Sequence, residues 1–271
     1  MLIRTLLPQL PRILVANVFG FVRASGYYHS SRASEDALLK EQILSALATN
    51  PSYGHRRIAL TLHIGKKRIR RVMKQYGIKP YKRMARWRKR RDERRAPVPF
   101  QNHIKSQCPI APNHTWVGDF TYLPFKKQFV YLATFMDLYT REIVGWHLAT
   151  RHTKELVMEA FLDALVNQKL CHPRFVHSDQ GVEYTNQSYI EMVQQLGVTI
   201  SMSTKASPWE NGYQESFFNN FKTDLGLEFD RFDDIGQFAE AVHHTIYTYN
   251  TTRIHTTLRM PPAVFRRLHS P

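Results

Sequence analysis

From about residue 115 onward, the order of apolar runs restricts the chain to very few architectures. Three stretches rich in aromatic and β-branched residues, "TWVGDFTYL", "KQFVYLATFMD" and "REIVGWHLAT", follow one another with only short turns between them. Such runs read as strands. A helix follows from about Lys154 to Gln168, with Leu156, Val157, Ala160, Phe161, Ala164 and Leu165 on one face. "RFVHS" is then a short strand, "QSYIEMVQQLG" a helix and "VTISMS" another short strand, before two helices near 208–226 and 233–250. Short turns join antiparallel strands, whereas strands separated by helices pair in parallel. The pattern therefore predicts an α/β fold with a mixed sheet flanked by helices.

The first hundred residues have a different character. The formal net charge is +16, and eighteen of the 38 Lys/Arg lie between Pro51 and Arg95 against only two acids, Asp92 and Glu93. The local excess equals that of the whole chain, so the remainder is balanced. A basic segment attached to a neutral body points to a polyanionic partner, above all nucleic acid. A membrane surface fits less well, because no long amphipathic helix with a continuous apolar face accompanies the charges. The apolar run from Ile13 to Val22 contains Asn17 and is too short to span a bilayer. The two cysteines, Cys108 and Cys171, form no C-x-x-C pair. They indicate neither a disulfide framework nor a zinc site, as expected in a reducing cytoplasm.

Residues 34–49 have helical apolar spacing behind Ser34 as a candidate cap. "HRRIALTLHI", Gly65 and "KKRIRRVMKQYGI" read as helix, tight turn, helix. Ile58, Leu62, Ile69, Val72 and Met73 form its apolar side. Arg56, Arg57, Lys66, Lys67, Arg68, Arg70, Arg71 and Lys74 form its basic side. This is the pattern of a small helix-turn-helix DNA-binding unit. The resulting division is an unassigned N-terminal segment (1–33), the helix-turn-helix domain (34–80), a basic linker (81–110) and a catalytic core with C-terminal helices (111–271).

Three acids are candidates for chemistry. Asp119 sits mid-strand, where Asp is disfavoured and a half-buried carboxylate is costly unless paired or metal-bound; an edge-strand Asp facing water is the equal alternative. Asp179 ends the fourth strand in "VHSDQG", by itself a turn signature, though at the strand terminus where open sheets present functional groups. Glu215 belongs to "SPWENGYQESFFNNFKTDLG", which holds Glu210 and Asp224 as well. Ser207, Pro208 and Glu210 form a capping-box arrangement. At 100° per residue Phe217, Phe218, Phe221 and Leu225 share the core side, Glu215 faces the same way as Lys222, and Asp224 points away. Acids from separate elements suit a pair of Mg2+ ions acting on a phosphodiester, for which Mn2+ can substitute.

Together these features resemble a known family. "WVGDFTYL", "HSDQGVEYTN" and "ENGYQESFFNNFKTDL", with thirty-five residues between Asp179 and Glu215, resemble the catalytic core of OrfB-type insertion-sequence transposases and the acidic triad of retroviral integrases. "YNTTRIHTTLRMPPAVF" is similar to the family's terminal signature, and "SGYYH" with "YGHRRIA" to its helix-turn-helix region. The family often has Asp-Asn-Ala where this chain has Glu210-Asn211-Gly212. The resemblance implies a ribonuclease-H-like fold, whose element order the core shares. It implies metal-dependent DNA strand cleavage and strand transfer by Asp119, Asp179 and Glu215, with Lys222 near the scissile phosphate. It further implies double-stranded DNA partners (element ends and target), a homo-multimer on paired ends, an upstream-frame DNA-binding or coiled-coil partner, and a place at the nucleoid in bacterial cytoplasm, not in a membrane. A ribonuclease-H-like nuclease without transfer, or a domesticated regulator that only binds DNA, is the alternative.

Other residues have simpler expected roles. Asp137 should brace a turn, against Arg141, and Glu183 should be a solvated loop acid. His177 is expected as a strand residue beside the site, and His243, His244 and His255 lack zinc-ligand spacing. Trp116 and Trp146 should be core, and Trp209 would lie at the mouth of the site. Arg253 and His255 either contact DNA or cap the last helices. The charge distribution carries a first test. DNA affinity should fall steeply with salt as counterions are released, and an affinity unchanged between low and physiological salt would remove the electrostatic role of residues 56–95.

Overall fold

Two-residue alternation in the first strand, β1 (Thr115–Phe125), sends its side chains into two separate cores, and the rest of the catalytic domain is layered around that division. β2 (Gln128–Asp137) pairs antiparallel with β1, from Phe125 opposite Gln128 to Trp116 opposite Asp137. β3 (Ile143–Ala149) continues the meander, with an irregularity between Phe135 and Met136. β4 (Phe175–Ser178) pairs in parallel with the other edge of β1, and β5 (Thr199–Met202) in parallel with β4. The sheet order is β3-β2-β1-β4-β5. This computed structural model describes residues 32–81, 99–104, 109–126, 128–203, 212–226 and 231–270, together with Val18 and Gly20.

Helices cover both faces. On one, α4 (Lys154–Asn167) and α5 (Gln187–Gln195) pack with Trp116, Phe135, Val176 and Ile200 of the sheet. On the other, α6 (Gly212–Leu225) and α7 (Ile235–Thr251) pack with Leu123, Phe125, Leu132 and Ile143. The chain then ends in α8 (Pro262–His269), with proline at its start, where the missing N–H costs no helical bond. The mixed sheet flanked by helices is the ribonuclease-H-like architecture expected from the element order. Among the described residues no helix is long and apolar enough to cross a membrane.

The N-terminal helices α1 (Arg32–Thr49), α2 (His55–Thr61) and α3 (Lys66–Gln75) enclose a third core of Leu39, Ile43, Tyr53, Ile58, Ile69 and Val72. Between α2 and α3 the chain reverses through His63, whose φ of 53° lies in the left-handed region. α1 begins at Arg32, so Ser34 lies inside the first turn and does not cap it, a correction to the sequence reading. The unit is seated on the segment after α7. Ile254 packs against its core, the Ile254 N–H donates to the Tyr53 hydroxyl at 2.8 Å, and Arg57 Nε donates to the Ile254 carbonyl at 3.1 Å. Most of the apolar run at 13–22 and residues 82–98 and 105–108 of the basic linker lie outside the described residues, as do Glu210, its capping box and Trp209.

One close approach sets how α4 lies on the sheet. A Cβ added to Gly145 of β3 would meet the backbone nitrogen of Ala164 at 2.3 Å and the carbonyl oxygen of Ala160 at 2.5 Å. Small residues on both sides bring helix and strand together without side chains between them. Gly145→Ala should therefore force the layers apart at a cost of about 1–3 kcal/mol, read as a lower urea midpoint. An unchanged midpoint would show that the contact is not close enough to exclude a methyl group.

Candidate active site

The parallel register brings the first two acids to one level of the sheet. Val117 of β1 is opposite His177 of β4. Two residues further along each strand direction stand Asp119 and Asp179. Asp119 is on the α6 side of β1, on the same face as Val117, Thr121 and Leu123, and one of its carboxylate oxygens accepts from the Phe120 N–H at 2.8 Å. Asp179 follows the last residue of β4 directly and accepts from the Gly181 N–H at 2.9 Å. That turn holds the carboxylate at the sheet's rim.

Glu215 arrives from α6, and a buried amide brings it there. Gln214 is fully buried. Its Nε2 donates to the Val117 carbonyl at 2.5 Å and to the Thr134 carbonyl at 3.3 Å, and its Oε1 accepts from the Thr134 hydroxyl at 3.2 Å. Thr134 is the residue opposite Asp119. Gln214 thus fastens the first turn of α6 to the two strands at the level of Asp119, and the next residue is Glu215. The sequence reading placed Phe217, Phe218, Phe221 and Leu225 on the buried stripe, as observed, but passed over Gln214. It falls on the same stripe, three and four residues before Phe217 and Phe218, and that spacing was the available signal.

Charge and burial act together at Asp119. The Asp119 carboxyl is pushed up to about 8, first by burial, then by Asp179 and less by Glu215, while the Phe120 N–H and Lys222 act the other way. The carboxyl of Asp179 is raised by loss of hydration against the Gly181 hydrogen bond. Lys222 Nζ stands 5.1 Å over the ring of Tyr122, three residues beyond Asp119 on β1. Asp179 and Glu215 thus lie near enough to Asp119 to act on it by charge. Among the described residues, however, no group of three or more His, Cys, Asp or Glu side chains is gathered tightly enough to hold an ion as it stands.

Glu183 corrects the sequence reading. It is not a solvated loop acid: it is buried and pairs with His152 Nε2 at 3.1 Å. A Cβ on Gly181 would stand 3.0 Å from both the Asp179 and the Glu183 carboxylates, so Gly181 leaves room for two acids to flank the turn. His152 also lies against the rings of Phe120 and Tyr131, at 4.4 and 5.2 Å between centroids. Nothing in the local sequence around His152 marks it, since its contacts are all distant in the chain.

The remaining assignments divide. Asp137 is fully buried and braces the β2–β3 turn: its carboxylate accepts from Tyr139, Thr140 and Asn113 and its carbonyl from the Arg141 N–H at 2.8 Å, while the Arg141 guanidinium lies over the ring of Tyr213 at 3.9 Å. His177 is buried against the Ser201 hydroxyl, Trp116 is core, and Trp146 packs partly buried against the second core. Asp224 points away from the site, as expected, and is engaged by Arg253 and Ser52. Arg253 closes the end of α7, its N–H donating to the Thr248 carbonyl at 2.8 Å, and does not face solvent: its side chain is buried, linking Asp224, Asn220 and Ser52.

The basic helices separate likewise. Arg56, Lys66, Lys67, Arg70 and Lys74 project to solvent. Arg68 pairs with Glu35 at 2.8 Å, Arg71 grips the buried Asp36 with both guanidinium nitrogens at 2.6 Å, and Arg57 turns inward to Ile254. Gln214→Leu conserves volume but leaves the Val117 and Thr134 groups without partners, and should cost about 1–3 kcal/mol by urea unfolding. Wild-type stability in that variant would mean that the amide does not fasten α6.

Comparison with known proteins agrees with this geometry. Residues 109–208 and 196–262 match two family models, each described as an integrase core domain. The chain is 32% identical over 241 residues to the transposase for insertion sequence element IS904 of Lactococcus lactis subsp. lactis (strain IL1403), covering 84% of this chain and 93% of that protein. It is 32% identical over 266 residues to the insertion element IS600 uncharacterized 31 kDa protein of Shigella sonnei, covering 93% and 97%. In fold it is similar to a chain in the simian T-cell lymphotropic virus intasome in complex with PP2A regulatory subunit B56 gamma, with a TM-score of 0.53 over 85% of this chain and 74% of that one at 21% identity. Fold, family models and relatives lead to one conclusion: the chain belongs to the insertion-sequence transposases, with a retroviral-integrase-like catalytic core.

Proposed function

We propose that this transposase cleaves and joins DNA by divalent-metal chemistry, with Asp119, Asp179 and Glu215 as the metal ligands and Lys222 beside the reacting phosphate. The observation that carries this reading is the parallel register that sets Asp119 and Asp179 at one level of the sheet, with Gln214 fastening the turn of α6 that bears Glu215 to the same strands; burial first, then the charges of the other two acids, raises the Asp119 carboxyl to about 8. Such a cluster is unfavourable by itself and becomes favourable around a hard cation, so donor type and charge both fit Mg2+, or Mn2+ in its place. A pair of such ions, when bound, supplies activation of a water or 3′-hydroxyl and stabilisation of the departing oxygen.

The chain's own residues do the remaining work. Asp119 must give up its proton to act as a ligand, because coordination requires the ionised form. Gln214 and the Gly181 turn hold Glu215 and Asp179 toward it. Lys222 offers a point charge to a phosphate oxygen. The exposed basic residues of the helix-turn-helix unit supply a surface for duplex phosphates. The substrates are double-stranded DNA at the element ends and the target, the working form is a homo-multimer on paired ends, an upstream-frame product is a further partner, and the setting is the bacterial cytoplasm at the nucleoid.

Replacing any of Asp119, Asp179 or Glu215 by Ala should reduce strand joining by more than about 100-fold, beyond the loss that outer partners of a metal site cause, with duplex binding retained. Full joining by any one variant would remove that residue from the triad. The raised carboxyl also sets a stability signature. Its folded value, about 8, is above the ordinary 3.8. Without metal, the favourable contribution is complete below about pH 4 and disappears as pH rises through 8. Asp119→Asn should flatten that slope in EDTA, and Mg2+ at pH 8 should raise the melting temperature of the wild type but not of the variant. Equal Mg2+ effects on both proteins would separate Asp119 from the metal.

A further inference from the structure

Behind α6, away from Glu215, the structure holds a cavity of about 210 Å³ between the helix-turn-helix unit and the catalytic core. Three guanidinium groups reach its wall: Arg57 from α2, Arg141 from the β2–β3 turn and Arg253 after α7. No carboxylate lines it among the described residues. Asp224, the one acid beside it, is engaged by Arg253 and Ser52. The exposed Thr256 and Thr257 also line the cavity.

Arg141 is set up for something that the folded chain does not provide. Its φ of 63° lies in the left-handed region, a conformation a non-glycine residue adopts at a cost. The Tyr249 hydroxyl donates to its carbonyl at 2.9 Å, its N–H donates to the Asp137 carbonyl at 2.8 Å, and its guanidinium stacks on Tyr213 at 3.9 Å. Backbone and plane are thus both held. Yet Nη1 of Arg141 is buried with no hydrogen-bond partner, and so is Nδ1 of His255 on the same wall. Buried donors are ordinarily satisfied, and a buried guanidinium N–H without an acceptor is expensive. The His255 ring is kept neutral, its value held down to about 4 by burial and by the three arginines, whereas Arg57, lowered to about 10, remains charged at neutral pH.

We propose that this cavity is a phosphate-binding site, in which Arg141 and the neighbouring arginines grip one phosphate group, drawn from a DNA backbone or from free phosphate in solution. A tetrahedral oxyanion supplies the acceptors that Nη1 of Arg141 lacks, and bidentate guanidinium–phosphate pairing is the geometry arginine favours. The volume admits such a group together with waters, each of which occupies about 30 Å³ in the liquid. A duplex phosphate held there would tie DNA to the side of α6 opposite the acids, at the joint where the N-terminal unit meets the core.

The test uses the full chain in EDTA, so that it depends on neither metal nor the acidic triad. Inorganic phosphate should raise the wild-type melting temperature saturably, as a ligand of the folded state does, and Arg141→Gln should abolish the rise. A short duplex should bind Arg141→Gln about ten-fold more weakly, and the slope of log affinity against log salt should fall by about one, the loss of one phosphate contact. Thr257→Glu, which leaves all three arginines in place and sets a carboxylate in the lining, should reproduce both effects if Arg141→Gln does not fold. Phosphate stabilisation lost in the variants with an unchanged duplex slope would identify free phosphate as the ligand. Equal phosphate responses and equal salt slopes in wild type and in a folded variant would overturn the proposal.

Discussion

Parallel pairing of Thr115, Trp116 and Val117 with Phe175, Val176 and His177 is the contact on which the catalytic arrangement depends. It inserts β4 beside β1, so that a strand from the antiparallel meander and a strand from the crossover region run in the same direction. Both then present an aspartate at one level, Asp119 two residues past Val117 and Asp179 two past His177. A slip of one residue would turn Asp119 into the opposite core. The two apolar cores on either side of β1 oppose that slip, because each is filled by alternate residues of the same strand.

The third acid is held by polar contacts. Gln214 occupies a position on α6 that would otherwise take a large apolar residue, and it gives up solvent for carbonyl and hydroxyl partners on β1 and β2. Such a buried amide contributes less through net hydrogen-bond energy than through the penalty for any other placement of the helix. A greasy interface lets a helix rotate or slide by a fraction of a turn. A satisfied amide does not. The site therefore combines a register set by sheet pairing with a helix orientation set by one side chain, around carboxylates that repel each other.

The same helix joins two chemistries back to back. Glu215 and Lys222, which we propose belong to the catalytic face, lie on one side of it, whereas Tyr213, Ser216 and Asn220 line the arginine-lined cavity and Asp224 anchors Arg253. Ser52 and Tyr53, just before α2, and Ile254, just after α7, complete that joint. The helix-turn-helix unit is thus fastened to the residues that follow α7, and its position is linked through α6 to the catalytic face.

Strand and helix order and the buried stripe of α6 were legible in the sequence, because alternation and 3.6-residue periodicity are local properties of the chain. Asp119 was noticeable for a related reason: a mid-strand aspartate conflicts with local preference. Other features arose only when distant segments met. Glu183 read as a solvated acid until His152, from another element, came beside it. Gln214 was unmarked by its local sequence until Thr134, eighty positions away, came to its amide. Arg57, Arg141 and Arg253 belong to three segments with unrelated local patterns, and charge runs alone assigned Arg57 to a DNA-facing surface. Periodicity determined which side of each element is buried. Which polar groups were buried with it, and against what partner, was decided by tertiary structure, because burial makes an unpaired polar group costly enough to choose among otherwise similar packings.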